Sequence, residues 1–264
     1  MYDFNLIRPA SVEEASRAYA QAEDGQFMAG GQTIIPVLKQ RLAMPSDLID
    51  LGKIGSLKGI TINSDSVVIG AMSSHAEVAR SSGVRAVIPA LSELAGMIGD
   101  PHVRNRGTIG GSVANNDPAA DYPAALVGLG AIVKTDRRDI SADEFFKDFF
   151  ETALEDNELV TAVEFPIPDQ AAYMKFPNPA SRYAIVGVFV SKKGDSVRLA
   201  VTGAGPSVFR VPEMEVALEK NFNSDILDGM SIDRDDFNND IHASAEYRAH
   251  LVVVMAMRAV AKAN

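Results

Sequence analysis

Residues 27–36 read FMAGGQTIIP: a short apolar run, two adjacent glycines, polar Gln32 and Thr33, then two isoleucines and a proline. Two physical situations ask for this order. One is a tight turn between a strand and a helix. The other is a loop whose bare backbone must come close to a negatively charged group, because glycine lacks a Cβ and permits φ > 0. A helix starting directly after such a loop adds unpaired N–H groups and the positive end of its dipole. Alone, the stretch leaves both readings open, and it matches neither GxGxxG nor GxxxxGK(S/T).

A second stretch, RNRGTIGGSVANNDPAAD at 104–121, repeats the pattern. Thr108 and Ile109 read as a strand-like approach to a second glycine pair, Gly110 and Gly111, with hydroxyls at Thr108 and Ser112. Asp121 follows ten residues beyond Gly111. A carboxylate there is placed to accept from ribose hydroxyls or an adenine amine, and equally to cap the helix PAALVGLGA. Two such segments in one chain suit a ligand with two phosphates held from both sides.

The bulk composition narrows the function. The chain has 264 residues, 47% hydrophobic and 23% charged, enough for two or three compact units of an ordinary globular protein. A formal net charge of -10 argues against a nucleic-acid surface, which needs clustered Lys and Arg. The sequence contains no cysteine, which excludes disulfides, a cysteine nucleophile and cysteine-ligated iron–sulfur clusters on this chain. Its four histidines, His75, His102, His242 and His250, show no metal-ligand spacing. His75 reads as a first-turn helix residue and His102 as a loop residue. MYDFNLIRPASVEEA lacks the apolar core of a signal peptide, and no apolar run approaches a membrane span. A cytoplasmic protein is expected, with peripheral membrane association through partners left open.

Along the chain, SVEEASRAYAQAE at 11–23 reads as an amphipathic helix opened by a Ser11/Glu14 capping box. GQFMAG and SDLIDL read as short strands around a helix containing Pro36, giving a β-α-β-α-β unit over 1–53. LKGITINSDSVVIGAM alternates as antiparallel strands, Ser73 or Ser74 caps HAEVARS, and Pro89 to Gly99 reads as helix. AIVK and ELVTAVEFPIP supply further strands of a second unit, 54–176. A third unit, 177–264, holds AIVGVFVSK and SVRLAVTGAG joined at KKGD, then the helices VPEMEVALEKN and EYRAHLVVVMAMRAVAKA. The acidic stretch between those helices, with six Asp against one Arg, reads as a solvated loop and helix face.

AGGQTIIPVLKQRLAMPSDLIDL and IGDPHVRNRGTIGGSVANNDPAADYPAAL resemble the two flavin-binding segments of the molybdenum hydroxylase FAD subunits. These are the medium subunits of the carbon monoxide dehydrogenase and xanthine dehydrogenase family. The resemblance extends over GAMSSHAEVA, the AIVGV strand and SAEYRAHLV. It implies an α+β chain: a PCMH-type FAD-binding fold of two α/β subdomains, then a C-terminal domain with a small antiparallel sheet and a helical bundle. It further implies that Ala29, Gly30, Gly31, Gln32, Thr33 and Ile34 wrap the FAD pyrophosphate and part of the flavin. Thr108, Gly110, Gly111 and Ser112 would form the second clamp, and Asp121 would bind the adenosine side. Ile98 and Val160 match apolar wall positions, and Tyr183 lies where some relatives place an aromatic beside the isoalloxazine. Lys175, in AAYMKF, matches a family lysine near the flavin and is the candidate for stabilising its reduced anionic form; read from the residues alone, it fits a snorkelling surface lysine equally. Arg104 and Arg106 read as structural or interfacial.

By the same resemblance FAD is bound non-covalently and no residue of the chain is catalytic. Iron–sulfur clusters and molybdopterin belong to separate small and large partner subunits, in a heterohexamer of two heterotrimers. The chain relays electrons from those clusters to an external acceptor. Two further readings are a stand-alone flavin oxidoreductase of the vanillyl-alcohol-oxidase-like group and a non-catalytic nucleotide-binding scaffold.

Overall fold

The computed structural model describes residues 1–233 and 235–264; Arg234, in the acidic stretch, lies outside them. The chain opens with β1 (Asn5–Ile7), α1 (Val12–Gln21), β2 (Gly25–Met28), α2 (Ile34–Lys39) and β3 (Asp47–Asp50). The strands form a parallel sheet in the order β1-β3-β2, so the last strand is central and Leu48 and Ile49 are buried in it. Ser11 caps α1 by accepting from the Glu14 amide at 3.2 Å. The Glu14 carboxylate accepts from the amide of Ala10 at 2.8 Å, one residue before the cap, so the reciprocal half of the capping box is displaced by a residue.

The second unit has β4 (Ile60–Ile62) and β5 (Ser66–Gly70), then α3 (His75–Arg80), α4 (Ser82–Val87), α5 (Pro89–Gly96), α6 (Pro101–Arg106), α7 (Ile109–Asn115) and α8 (Tyr122–Leu129). β6 (Ile132–Thr135), β7 (Asp139–Ser141), α9 (Ala142–Phe145), β8 (Phe146–Asp148), β9 (Glu151–Thr152) and β10 (Val160–Pro166) complete it. Its main sheet is antiparallel, ordered β4-β5-β10-β6-β7, and its helices cover one core built on Leu91, Leu94, Leu126, Val163 and Phe165. Ser74, not Ser73, caps α3, with Glu77 closing a full capping box. His102 lies within α6 rather than in a loop, because Asp100 caps that helix and Pro101 starts it.

The third unit comprises β11 (Gln170–Pro177), β12 (Ala184–Lys193), β13 (Ser196–Thr202), β14 (Phe209–Arg210), α10 (Pro212–Lys220) and α11 (Ala245–Ala263). The β12–β13 hairpin turns through Gly194 and Asp195, with Gly194 at φ +59°. Strand β12 is buried on both faces, which explains its unbroken apolar run. Tyr173, Phe189 and Ala200 face α8 and join the core of the second unit; Val186, Val188 and Val190 face the C-terminal helices. Pairing of β11 with β12 runs from Gln170 to Pro177, so the third sheet begins ahead of the expected break at 176/177. The expected C-terminal sheet and helices are present, with α11 lying across β11 and β12 and α10 against β13. An apolar sheet face needs that cover, and two helices lying flat on it supply it.

Phe189 is fully buried where α8 meets the third sheet, and a Cβ on Gly128 would stand 2.8 Å from its ring. Phe189→Ala is expected to lower unfolding free energy by about 3–5 kcal/mol. Urea denaturation measures this; a loss below about 1 kcal/mol would show that the two units do not share a core there.

Candidate functional site

A cavity of about 490 Å³ lies where the three units meet. The first unit contributes the end of β2 and the loop into α2, the second contributes 98–121 and 154–160, and the third contributes 181–183. Of the fifteen residues expected from the sequence, fourteen line it; Lys175 does not.

The first glycine pair has the anticipated geometry. Gly31 takes φ +76°, and the chain enters α2 with the Ile35 amide donating to Gly31 O and the Val37 amide to Thr33 O, both at 3.2 Å. Among the described residues, the amides of Gly30, Gly31, Gln32, Thr33 and Ile34 donate to no atom of the protein. Thr33, at the cap position, makes no side-chain cap hydrogen bond either. Five consecutive main-chain donors without protein acceptors thus lie on residues that line the cavity, the kind of donor run that suits an anion.

The second glycine pair is built differently from its sequence reading. Thr108 makes only an isolated bridge to Ser74 and caps α7, so Gly110 and Gly111 lie in the first turn of a helix rather than in a loop. Their amides are already used: Ile109 donates to Ser73 O (3.1 Å), Gly110 to Ala71 O (2.8 Å), Gly111 to Thr108 Oγ1 (3.1 Å) and Ser112 to Thr108 O (3.0 Å). The glycines serve close approach. A Cβ on Gly110 would stand 2.5 Å from Ala71 Cβ, and one on Gly111 would stand 3.3 Å from Ala29 Cβ across the cavity. Gly30 in turn rests on the backbone of the second segment, where its Cβ would fall 2.1 Å from Arg106 O. The cavity therefore has one donor-rich wall and one packing wall.

A buried cation holds the third wall. Lys175 Nζ pairs with Asp121 Oδ1 at 2.9 Å and donates to Met97 O and Arg182 O, each at 3.0 Å; its side chain is 3% exposed and Asp121's is 4%. It is not a surface lysine. Asp121 Oδ1 also accepts from Tyr173 Oη at 2.5 Å, and the Asp121 side chain makes no cap bond to α8. Burial pushes the Asp121 carboxyl above the usual carboxylate range, against the pull of the Lys175 charge. Arg104 Nη1 donates to Ile98 O and Gly99 O at 2.9 Å, and Arg182 Nη1 donates to Gly99 O at 3.3 Å. Three cations thus occupy the free carbonyls after α5 and fix Ile98 in the cavity wall. Arg104 is structural, as the sequence suggested.

Several cavity residues had no signal in the sequence reading. Glu158 receives both Arg138 and Thr135 plus the Glu155 amide, and the Arg138 guanidinium holds its carboxyl down to about 2. That knot fixes the wall residues Leu159 and Val160. Asp117 lines the cavity with its carboxyl raised by burial. His75, the first residue of α3, is 5% exposed and packs against Tyr122 with ring centroids 5.4 Å apart and planes tilted by 46°. Burial, with the nearby Arg104 charge, lowers the His75 imidazole to about 4. Adjacency to recognised motifs (NNDPAAD, GAMSSHAEV, NELV) was the only available pointer to these three.

Comparison with known proteins defines the class. The family model described as the FAD binding domain in molybdopterin dehydrogenase matches residues 2–168, and the CO dehydrogenase flavoprotein C-terminal domain matches residues 171–263. The chain is an FAD-binding oxidoreductase subunit. It belongs to the FAD-binding medium subunits of the molybdenum hydroxylase family. It is 33% identical to the nicotine 6-hydroxylase medium subunit of Paenarthrobacter nicotinovorans, over 97% of this chain and 95% of that one. It is also 33% identical to the carbon monoxide dehydrogenase medium chain of Afipia carboxidovorans, over 99% of this chain and 96% of that one. Reconstituted CO dehydrogenase from Oligotropha carboxidovorans superposes with a TM-score of 0.90 at 32% identity, covering 99% and 97% of the two chains. Among the described residues no helix is long and apolar enough to cross a membrane.

Removing one partner of the Lys175–Asp121 pair leaves the other charge buried. Lys175→Met and Asp121→Asn are each expected to cost about 3–5 kcal/mol, and the double variant less than the sum. Additive losses in urea denaturation would show that the two groups act independently. The His75 imidazole gives a pH signature. Its folded value lies below the free value, so the unfolded chain binds the extra proton between pH 6.5 and about 4, and stability falls as pH falls through that window. The slope is roughly 1.4 kcal/mol per pH unit, and His75→Gln should remove it from urea midpoints compared at about pH 7 and about pH 5.

Proposed function

We propose that the cavity holds the FAD and that the chain is the electron-transfer station of a molybdenum hydroxylase complex, receiving electrons from a partner's iron–sulfur clusters and delivering them to an external acceptor. The observation that carries the reading is the run of five unpaired amides from Gly30 to Ile34. A diphosphate is the group in a dinucleotide that such a cradle fits.

FAD, when bound, supplies the redox chemistry, and the chain supplies binding, orientation and electrostatics. Gly30 to Ile34 hold the diphosphate by main-chain donors, with Arg182 as the one Lys or Arg side chain among the cavity-lining residues. The Ser112 hydroxyl and the Cβ-free faces of Gly110 and Gly111 shape the opposite wall. Ile98, Val160 and Tyr183 form the sides against which the ring system packs. Asp121 has both oxygens engaged by Lys175 and Tyr173, so it braces the wall instead of serving as a free ribose acceptor. Lys175 stands behind Asp121 with its charge balanced there, which makes it a positioning residue and not the counter-charge of a reduced flavin. No side chain is required as a general acid or base.

The absence of cysteine places any iron–sulfur cluster on another chain. The name "medium" carried by both relatives supports partners on either side in size. A small iron–sulfur subunit and a large molybdopterin subunit, in a heterohexamer of two heterotrimers, complete the proposal. Since those relatives are named for nicotine and carbon monoxide, the oxidised substrate belongs to the partner's specificity.

Reconstitution of the purified chain should give one flavin per chain, and the native protein should purify with iron and molybdenum. Gly30→Ala forces the two segments apart, because its Cβ would meet Arg106 O at 2.1 Å, and should weaken flavin retention at least about tenfold in equilibrium dialysis. A chain that stays colourless after reconstitution, or one that purifies alone and oxidises a substrate by itself, would overturn the assignment.

A further inference from the structure

We infer that His75 is a cofactor-contacting residue, whose Nε2–H donates a hydrogen bond to a diphosphate oxygen of the dinucleotide. The inference rests on the FAD reading of the cavity and deepens it.

The imidazole lines the cavity yet is almost wholly buried, at 5% exposure. Buried polar groups in native proteins find partners, and those without one call for a functional explanation. Among the described residues neither ring nitrogen of His75 has a hydrogen-bond partner. Nδ1 is enclosed and unpaired, and Nε2 takes part in no hydrogen bond among the described residues. A proton on Nδ1 would be a donor sealed away from any acceptor. Nε2 is not sealed in this way, and His75 lines the cavity, so we place the N–H of the neutral ring on Nε2.

Gly107 gives the second, independent observation. Its backbone is ordinary, φ -61° and ψ 141°, a conformation any residue adopts. No turn requires glycine there. Yet a Cβ on Gly107 would lie 2.6 Å from His75 Nε2 and 2.9 Å from Cδ2. The missing side chain keeps that nitrogen uncovered. The same short segment touches the cradle, since the hypothetical Cβ of Gly30 meets Arg106 C at 2.8 Å and Gly107 Cα at 2.9 Å. Gly107 therefore lies against both Gly30, where the free amides begin, and the His75 ring. The acceptor closest to those amides in a bound dinucleotide is a phosphate oxygen. The ring packs against Tyr122, and the His75 amide donates to Gly107 O at 3.0 Å.

The test uses the full chain and FAD itself. The chain has four histidines, so long-range nitrogen–proton NMR of the wild type resolves each ring. His75 should appear as the Nε2–H tautomer, and saturating FAD should shift its Nε2 resonance while His242 and His250 stay in place. By flavin fluorescence quenching, His75→Phe should bind FAD about ten- to a hundredfold more weakly, the range for a hydrogen bond to a charged group. His75→Gln, which keeps an N–H donor, should recover part of that loss. Gly107→Ala, whose Cβ would stand 2.6 Å from Nε2, should cover or displace the ring and weaken binding as His75→Phe does. An Nε2 resonance unmoved at saturation, or His75→Phe binding as tightly as wild type, overturns the inference. Wild-type chain that fails to bind FAD at all overturns the reading of the cavity instead.

Discussion

Two pieces of backbone from different units touch with no side chain between them, and the cavity exists because of that contact. Gly30 rests on Arg106 and Gly107, and even a methyl group at Gly30 would overlap a carbonyl oxygen. The contact fixes the distance between the donor-rich loop and the helical segment opposite. Gly110 and Gly111 extend the same principle, the one against Ala71 and the other against Ala29. Only Gly31 among these is required for its dihedral angle, at φ +76°. Paired glycines that look alike in sequence therefore do two jobs, turning the chain in one place and thinning it in the other.

The remaining wall is organised by charge that never reaches the ligand. Lys175 draws together the end of α5, the Arg182 turn and the start of α8 through Met97 O, Arg182 O and Asp121. Burying such a pair is costly, and an apolar pair of equal volume is often as stable. What an apolar pair cannot do is accept from Tyr173 on one side and donate to two main-chain carbonyls on the other. The pair exchanges stability for a fixed position of Ile98 and Tyr183, the cavity's two sides. It also leaves the cavity without the lysine charge that the sequence placed there.

Most of the architecture was legible in periodicity and caps. The first unit, the antiparallel strands after it and the β12–β13 hairpin follow from apolar spacing and from Gly194. Helices α6 and α7 were not legible. They span only Pro101–Arg106 and Ile109–Asn115, and α7 carries two glycines near its start. Intrinsic propensity would not sustain either; the Asp100 and Thr108 caps and tertiary packing do. The site divides the same way. Both glycine pairs could be picked out, but only the first leaves its amides unpaired, and nothing in the sequence told the two apart. Lys175 could be picked out but not aimed, because its partners Met97 and Asp121 lie 78 and 54 positions away. His75 reads as a first-turn residue and is one, and nothing local shows that Gly107 will leave its ring uncovered.

These features resolve an electrostatic problem set by the composition. A chain of formal net charge -10 must take up an anionic dinucleotide. A cluster of lysines would answer it, but flexible side chains pay ordering entropy on binding and bring charge that a redox cofactor would feel. Amides held by β2 and α2 are already oriented, so they need little reorganisation when an anion arrives. Their dipoles act over a few ångströms, whereas the repulsion of the acidic surface is screened beyond roughly 10 Å at ordinary salt. A short-range attraction at a fixed place therefore outweighs a long-range repulsion spread over the whole molecule.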